Sequence, residues 1–248
     1  MGTIPRGRLA VASYAGAYYQ KVLRTSPAHL IAYWPLWDRA GTAAEGLIFG
    51  RAGTYTGVTL GQDGIGDGRV CPYFDGANDY GSVYSASLKD AFDGSEGSLM
   101  LWLKVNDAGV WADGLFRYAC RFKCDDDSGL AIYKRDTANR LTLAYTAGGS
   151  GKSVDHTTSS PDWLHVLMTW TRSGDAMKAF VGGVQTGSTQ TGLGDWAGNL
   201  KSDSCNIGAH NQTPQMVWNG RVAHVALWST PLTPAEISQL AGPRRQTG

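Results

Sequence analysis

From Leu30 onward the chain is a succession of short apolar runs: LIAYWPLWD, TYTGVTL, VCPYFDG, YGSVYSA, SLMLWLKV, GLFRYACRFK, GLAIYKR, LTLAYTA, WLHVLMTWTR, MKAFVGG, CNIGA and RVAHVALW. Nearly every gap between them contains Gly, Asp, Asn or Ser, the residues that turn a chain sharply. Runs this short are strand-length, and no helical periodicity separates them, so the pattern implies an antiparallel sandwich rather than alternating βαβ units. The 33 glycines, 9 tryptophans and 11 tyrosines, with only 17% charged residues, suit many short strands joined by tight turns. At 248 residues one large β domain is the expected organisation. Within SLMLWLKV, Met100, Trp102 and Lys104 face one way and Leu99, Leu101, Leu103 and Val105 the other, so at least one side must line the core. Core packing is the expected role of Trp102, Trp163, Trp170 and Trp228.

Two helices are expected outside this series. Val11, Ala15, Tyr18 and Val22 fall on one helical face, which Ser26-Pro27 would stop. A secretion signal competes for the same stretch, with Arg6 and Arg8 ahead of a mildly apolar run, but its tyrosines make a weak signal core. At the other end Thr233 can cap, Pro234 suits a first turn, and Glu236 occupies the capping-box position. The chain therefore divides into a helical extension over 1–28, a sandwich over 29–242 and a tail over 243–248.

Several functions are disfavoured by the sequence. No run of eighteen apolar residues offers a membrane span. A formal net charge of +1 gives no footprint for nucleic acid. TAGGSGKS, at 146–153, ends like a phosphate loop, but Thr146 stands where the first glycine belongs, and LTLAYTA and the β-branched stretch after it make a glycine-turned hairpin. Cys71, Cys120, Cys124 and Cys205 are too scattered for a disulfide framework and are expected as buried free thiols. His29, His156, His165, His210 and His224 show no metal-ligand spacing. Gly149-Ser150-Gly151 lacks the strand-to-helix elbow of a serine nucleophile.

Four stretches carry a family resemblance in their order: YFDGANDYGSV (73–83), GSLMLWLKV (97–105), WLHVLMTWTRSGDAMKAFVGGVQ (163–185) and the segment from NIGAHNQ to ISQLA (206–241). They resemble successive motifs of laminin-G-like domains, within the concanavalin A-like lectin and glucanase superfamily. The segment from AYWPLWD to GQDG (32–64) is similar to the opening of such domains in bacteriophage and bacterial surface proteins. The resemblance implies an all-β fold: a two-sheet antiparallel jelly-roll sandwich, concanavalin A-like, here with an N-terminal helix and a short C-terminal helix. One fold carries many functions, so activity must be argued from sites.

Glycosidases of this superfamily use two nearby glutamates, and cleavage of a glycosidic bond needs two carboxyls at a fixed separation. Glu45, Glu96 and Glu236 are the only glutamates and lie in separate segments, while Asp125-Asp126-Asp127 reads as a turn, so no catalytic residue is expected. No cofactor is required. Calcium is the ion the resemblance implies, with Asp75, Asn78 and Asp79 as its ligand candidates and Asp38 or Glu45 as others. Two departures count against it. Ala223-His224 stands where relatives carry paired aspartates, and Val181-Gly182-Gly183 where they often read Val-Asp-Gly. For glycan, an exposed aromatic platform is needed, with Trp111 and Trp196 in glycine-rich loops as candidates and Asp107, Asp113, Asp195 and Asn199 beside them. The alternative is that each tryptophan folds back to plug the end of the sandwich.

The expected function is a non-catalytic binding or structural module on a particle surface, in the manner of a phage capsid decoration or tail-associated protein. Tyr14, Tyr18 and Tyr19 are then the candidate assembly contact. Its expected partners are other virion or surface proteins, cell-surface glycans and further copies of the chain, with neither nucleic acid nor membrane. A secreted carbohydrate-binding accessory domain is the alternative, and a glycoside hydrolase the third reading.

Overall fold

Every run of the series that opens at Leu30 contributes to a strand. A computed structural model describes residues 18–124 and 127–241. In chain order the early strands are β1 (Leu30–Trp34), β2 (Ala43–Ala44), β3 (Gly53–Thr56), β4 (Thr59–Asp63), β5 (Val70–Asp75) and β6 (Tyr80–Ser82). The central ones are β7 (Glu96–Val105), β8 (Arg117–Cys124), β9 (Gly129–Lys134), β10 (Arg140–Ala147) and β11 (Ser150–Thr157). The last are β12 (Leu164–Thr171), β13 (Ala176–Val181), β14 (Val184–Gln190), β15 (Leu200–Ile207) and β16 (Asn219–Trp228). Helices α1 (Tyr18–Arg24), α2 (Ala86–Ala91) and α3 (Pro234–Ala241) and a 3-10 turn over Ala108–Ala112 complete the described residues.

The strands form two sheets. The first runs β14-β13-β12-β7-β16-β5-β4, with β1 also on β16, and the second β11-β10-β9-β8-β15-β6-β3-β2. Pairing is antiparallel at the sheet centres, β7 with β12 and β16, and β8 with β9 and β15. Late strands thus insert beside early ones, the topology of a jelly-roll sandwich. The hairpin read from TAGGSGKS is present, with Ala147 opposite Ser150 and only Gly148 and Gly149 between. Both adopt positive φ, 53° and 76°, as the two-residue turn that fits strand twist requires.

The two sheets differ in what covers them, and that difference decides where a ligand can bind. On β7, Leu99, Leu101, Leu103 and Val105 enter the core between the sheets, as the alternation predicts. Met100 and Trp102, on the opposite face, are buried too, in a second cluster with Tyr18 and Val22 of α1 and Ile237 and Leu240 of α3. The central strands of the first sheet are therefore packed on both faces, and each large apolar side chain so covered contributes roughly 1.5–3 kcal/mol. Trp102, Trp170 and Trp228 are buried as expected, and Trp163 is partly buried against the second cluster. All four cysteines are buried and unbridged.

This packing corrects one expectation. Tyr18 is not a contact for a partner: it is buried, and its hydroxyl donates to the Leu240 carbonyl at 2.9 Å. A sheet face bearing Met100 and Trp102 has to be removed from water, and α1 is the chain's own cover for it. Tyr19 is half-buried, edge-on to Trp37 at 5.2 Å and beneath the Arg69 guanidinium at 5.7 Å. Tyr14, like Val11 and Ala15 of the same expected face, lies outside the described residues. The C-terminal capping box forms: Glu236 accepts from the Thr233 amide at 2.8 Å, and the Thr233 hydroxyl accepts from the Glu236 amide at 3.4 Å. The second carboxylate oxygen of Glu236 accepts from Ser26 at 2.6 Å, tying the end of α1 to the start of α3.

Candidate functional site

The residues expected to hold a glycan through Trp111 are placed elsewhere. Trp111 is fully buried in the 3-10 turn, its indole N–H donating to the Ser160 carbonyl at 2.8 Å and its ring edge-on to Trp218 at 6.3 Å. It plugs the sandwich end and offers no platform. The physical reason is the Asp107 cap: its carboxylate accepts from the Gly109 amide at 2.8 Å and starts a turn that swings the indole inward. Asp113 is also committed, accepting from Arg117 Nε at 2.5 Å and from the fully buried Lys134 ammonium. Partial burial pushes the Asp113 pKa up, but the hydrogen bonds from Lys134 and Arg117 outweigh it and hold the carboxyl below the usual range.

Trp196 is half-buried, not free-standing. Its ring lies over Gly94, where an added Cβ would fall 2.1 Å from the indole, and Phe92 meets it edge-on at 5.3 Å. Asp195 is exposed and pairs with Arg172 at 2.7 Å, and Asn199 is exposed beyond it. The calcium candidates serve the turn between β5 and β6. Asp75 accepts from the Ala77 and Asn78 amides at 2.7 and 3.2 Å, and Asp79 accepts from the Asp75 amide at 2.9 Å. In the first loop Asp38 accepts from the Tyr55 hydroxyl at 2.9 Å, and Glu45 accepts from the Trp37 indole. Among the described residues no three His, Cys, Asp or Glu side chains come together to hold a metal ion.

What the sequence did not single out is the outer face of the second sheet, across β8, β9 and β10. There an open groove of about 380 Å³ is lined by Tyr118, Arg121, Lys123, Ala131, Tyr133 and Ala144, among others. Strand register explains its shape. Tyr118 lies opposite Tyr133, Arg121 opposite Ala131, and Lys123 opposite Gly129. Ala131 in turn faces Ala144 on β10. The alanines and the glycine leave a shallow floor, and the tyrosines stand above it as a wall. Their rings stack at 4.8 Å with 16° between planes, and His210 meets Tyr118 edge-on at 4.9 Å. All four long side chains of the groove are half-buried rather than swallowed by the core.

A β-bulge makes this face. The pairing of β8 with β9 shifts between Tyr118 and Cys120, so Ala119 and Cys120 are both buried, and Tyr118 turns outward to join Arg121 and Lys123. Strict alternation would have sent Tyr118 into the core with Cys120, Phe122 and Cys124. Arg121 is positioned by the loop after β15: its Nη1 donates to the His210 carbonyl at 2.9 Å and lies 3.2 Å from His210 Nδ1. Asp127 is the one carboxylate among the described lining residues.

A family model described as the concanavalin A-like lectin/glucanases superfamily matches residues 75–238, more than half of the chain. The chain belongs to this superfamily. No curated protein matches it in sequence. Solved structures share the fold of this superfamily member. Domain 4 of an extracellular arabinanase of Geobacillus stearothermophilus, solved with arabinotriose, is 14% identical with a TM-score of 0.59, over 86% of this chain and 98% of that one. A Trypanosoma rangeli sialidase in complex with sialic acid is 13% identical with a TM-score of 0.64, over 86% of this chain and 33% of that one. The receptor binding domain of botulinum neurotoxin mosaic serotype C/D is 12% identical with a TM-score of 0.63, over 86% of this chain and 50% of that one. The lectin-like sandwich thus corresponds to nearly all of the arabinanase domain, half of the toxin domain and a third of the sialidase.

Proposed function

We propose that the protein is a non-catalytic glycan-binding module whose site is the groove on the outer face of the second sheet. The observation that carries the reading is the stacked pair Tyr118 and Tyr133 above a floor of alanine and glycine, with Arg121 and Lys123 alongside. A pyranose needs an apolar face to lie on and nearby polar groups to fix its hydroxyls, and the groove offers both. Several structural relatives are described with sugars, arabinotriose and sialic acid among them. Non-catalytic action rests on the sequence: a retaining or inverting glycosidase needs a pair of carboxyls at a fixed separation, and the three glutamates lie in separate segments. Glu236, one of the three glutamates, is committed to capping α3.

The module acts at an extracellular or particle surface, most specifically as a component of a phage virion that carries receptor-binding capacity. Supporting this is the likeness of the 32–64 segment to the opening of such domains in phage and bacterial surface proteins. Screening the full chain and its Tyr133→Ala variant on a broad glycan array tests the site. Binding by the first and not by the second is expected; equal binding by both would refute this location. For the virion assignment, purified particles should contain the chain by mass spectrometry, and its absence from them would overturn that part.

A further inference from the structure

We propose that the groove takes an acidic oligosaccharide, one whose uronic or sialic-type carboxylate docks on Arg121 and Lys123 while its ring lies along Tyr118 and Tyr133. The inference rests on the groove being the glycan site and adds the class of ligand. It starts from which cations in this region are already neutralised. Arg117 and Lys134 share Asp113, Arg140 pairs with Asp155 at 2.9 Å, and Arg172 pairs with Asp195 at 2.7 Å. Among the described residues neither Arg121 nor Lys123 forms an ion pair, although both are half-buried, and Asp203 acts on Arg121 only through its charge. A guanidinium removed in part from water without a hydrogen-bonded carboxylate gains when an anion supplies one. Burial lowers the Arg121 pKa, and the Asp203 charge offsets only part of that.

The placement of the two cations suits a bound anion. They stand two residues apart on β8, on the same outward face beyond the bulge, and the His210 carbonyl holds one end of the Arg121 guanidinium in place. A planar fork fixed at one end presents its remaining N–H groups in a set direction, as recognition of a carboxylate requires. Opposite them lie Ala131 and Gly129, then Ala144 and Thr146 one strand further, so a ring has room beside the anion. Asp127, the acidic lining residue, has its carboxylate toward Gly149, at the turn end. The local field is positive: burial first, then Arg121 and Lys123, push the His210 pKa down to about 4, which leaves that ring neutral at physiological pH.

The test is an array on which uronic-acid and sialic-acid glycans are printed beside their neutral counterparts, the uronic acids as carboxyl-reduced forms and the sialosides as asialo forms. The best acidic probe and its neutral counterpart are then titrated calorimetrically. The acidic probe should bind about tenfold or more tighter than its neutral counterpart, and about 0.5 M salt should remove most of the difference. Arg121→Gln and Lys123→Gln should each abolish the preference, while Tyr133→Ala weakens acidic and neutral probes together. If Arg121→Gln does not fold, Lys123→Gln carries the test, since it leaves the His210 contact intact. Whether uronic or sialic probes respond distinguishes the two sources of the carboxylate. Neutral probes bound as well as acidic ones, with Tyr133→Ala still harmful, would overturn the acidic ligand and leave the groove standing. Silence across the array would overturn both.

Discussion

His165 gives the stability of this fold a pH dependence that can be worked out from its surroundings. The ring sits on β12 opposite Trp102, edge-on at 5.1 Å, and is 1% exposed. Neither ring nitrogen has a hydrogen-bond partner among the described residues. Burial, reinforced by the charge of Lys21, pushes its pKa down to about 3. An unfolded chain releases the same proton near pH 6.5. The folded state therefore keeps the neutral ring and the unfolded chain takes up the proton, so stability is present above about pH 6.5 and is lost as pH falls toward the folded pKa. Between pH 7 and about pH 4.5 the loss from this one residue is roughly 2.5 kcal/mol, at about 1.4 kcal/mol per pH unit. Urea unfolding of the protein and of His165→Leu across this range is the assay. At pH 7 the leucine variant should be as stable or more so, because it removes two unsatisfied buried nitrogens at similar volume. The stability difference between the two proteins should then widen by roughly 2.5 kcal/mol on acidification. Asp67, Asp113 and Glu236, whose carboxyls are held below their usual range, lose stability in acid equally in both proteins and cancel in the difference. A difference that stays flat with pH would refute the argument.

Two further perturbations separate packing from binding. Trp111→Ala should cost about 3–5 kcal/mol in urea unfolding, since a fully buried indole and its bond to Ser160 are lost, while glycan affinity of the remaining folded protein stays unchanged. A selective loss of binding at full stability would return Trp111 to the site. Gly94→Ala should destabilise by about 1–3 kcal/mol, because φ is 75° there and the new Cβ falls 2.1 Å from the Trp196 ring. Fluorescence of the folded variant should report a displaced indole, and an unchanged melting temperature and spectrum would contradict the packing.

Much of the fold was legible because period and turn chemistry act locally. The alternation in SLMLWLKV, the two glycines of the β10–β11 hairpin and the Thr233–Glu236 capping box each determine their own element, and each formed. The site was less legible, for a reason visible at Tyr118. One extra residue in β8 reverses the parity on which any alternation argument depends, so Tyr118, which strict alternation would send inward, becomes the wall of a groove. Trp111 shows a second limit, since the sequence left platform and plug both open. A tryptophan in a glycine-rich loop looks exposed, yet the Asp107 cap turns it into the sandwich end. Tyr18 shows a third limit: an apolar helical face does not declare its partner, and here the partner is the chain's own first sheet. Burial of the central strands of that sheet on both sides leaves the second sheet as the one whose outer face is open at its centre.

Amide chemical-shift mapping tests the central claim most directly: isotope-labelled protein is titrated with the strongest glycan-array hit and the perturbed residues are located. The account predicts shifts concentrated at Tyr118, Arg121, Lys123, Ala131, Tyr133 and Ala144, with the ends of the sandwich unaffected. Shifts centred instead on Trp196, Asp195 and Asn199 would contradict it and return the binding site to the glycine-rich loops.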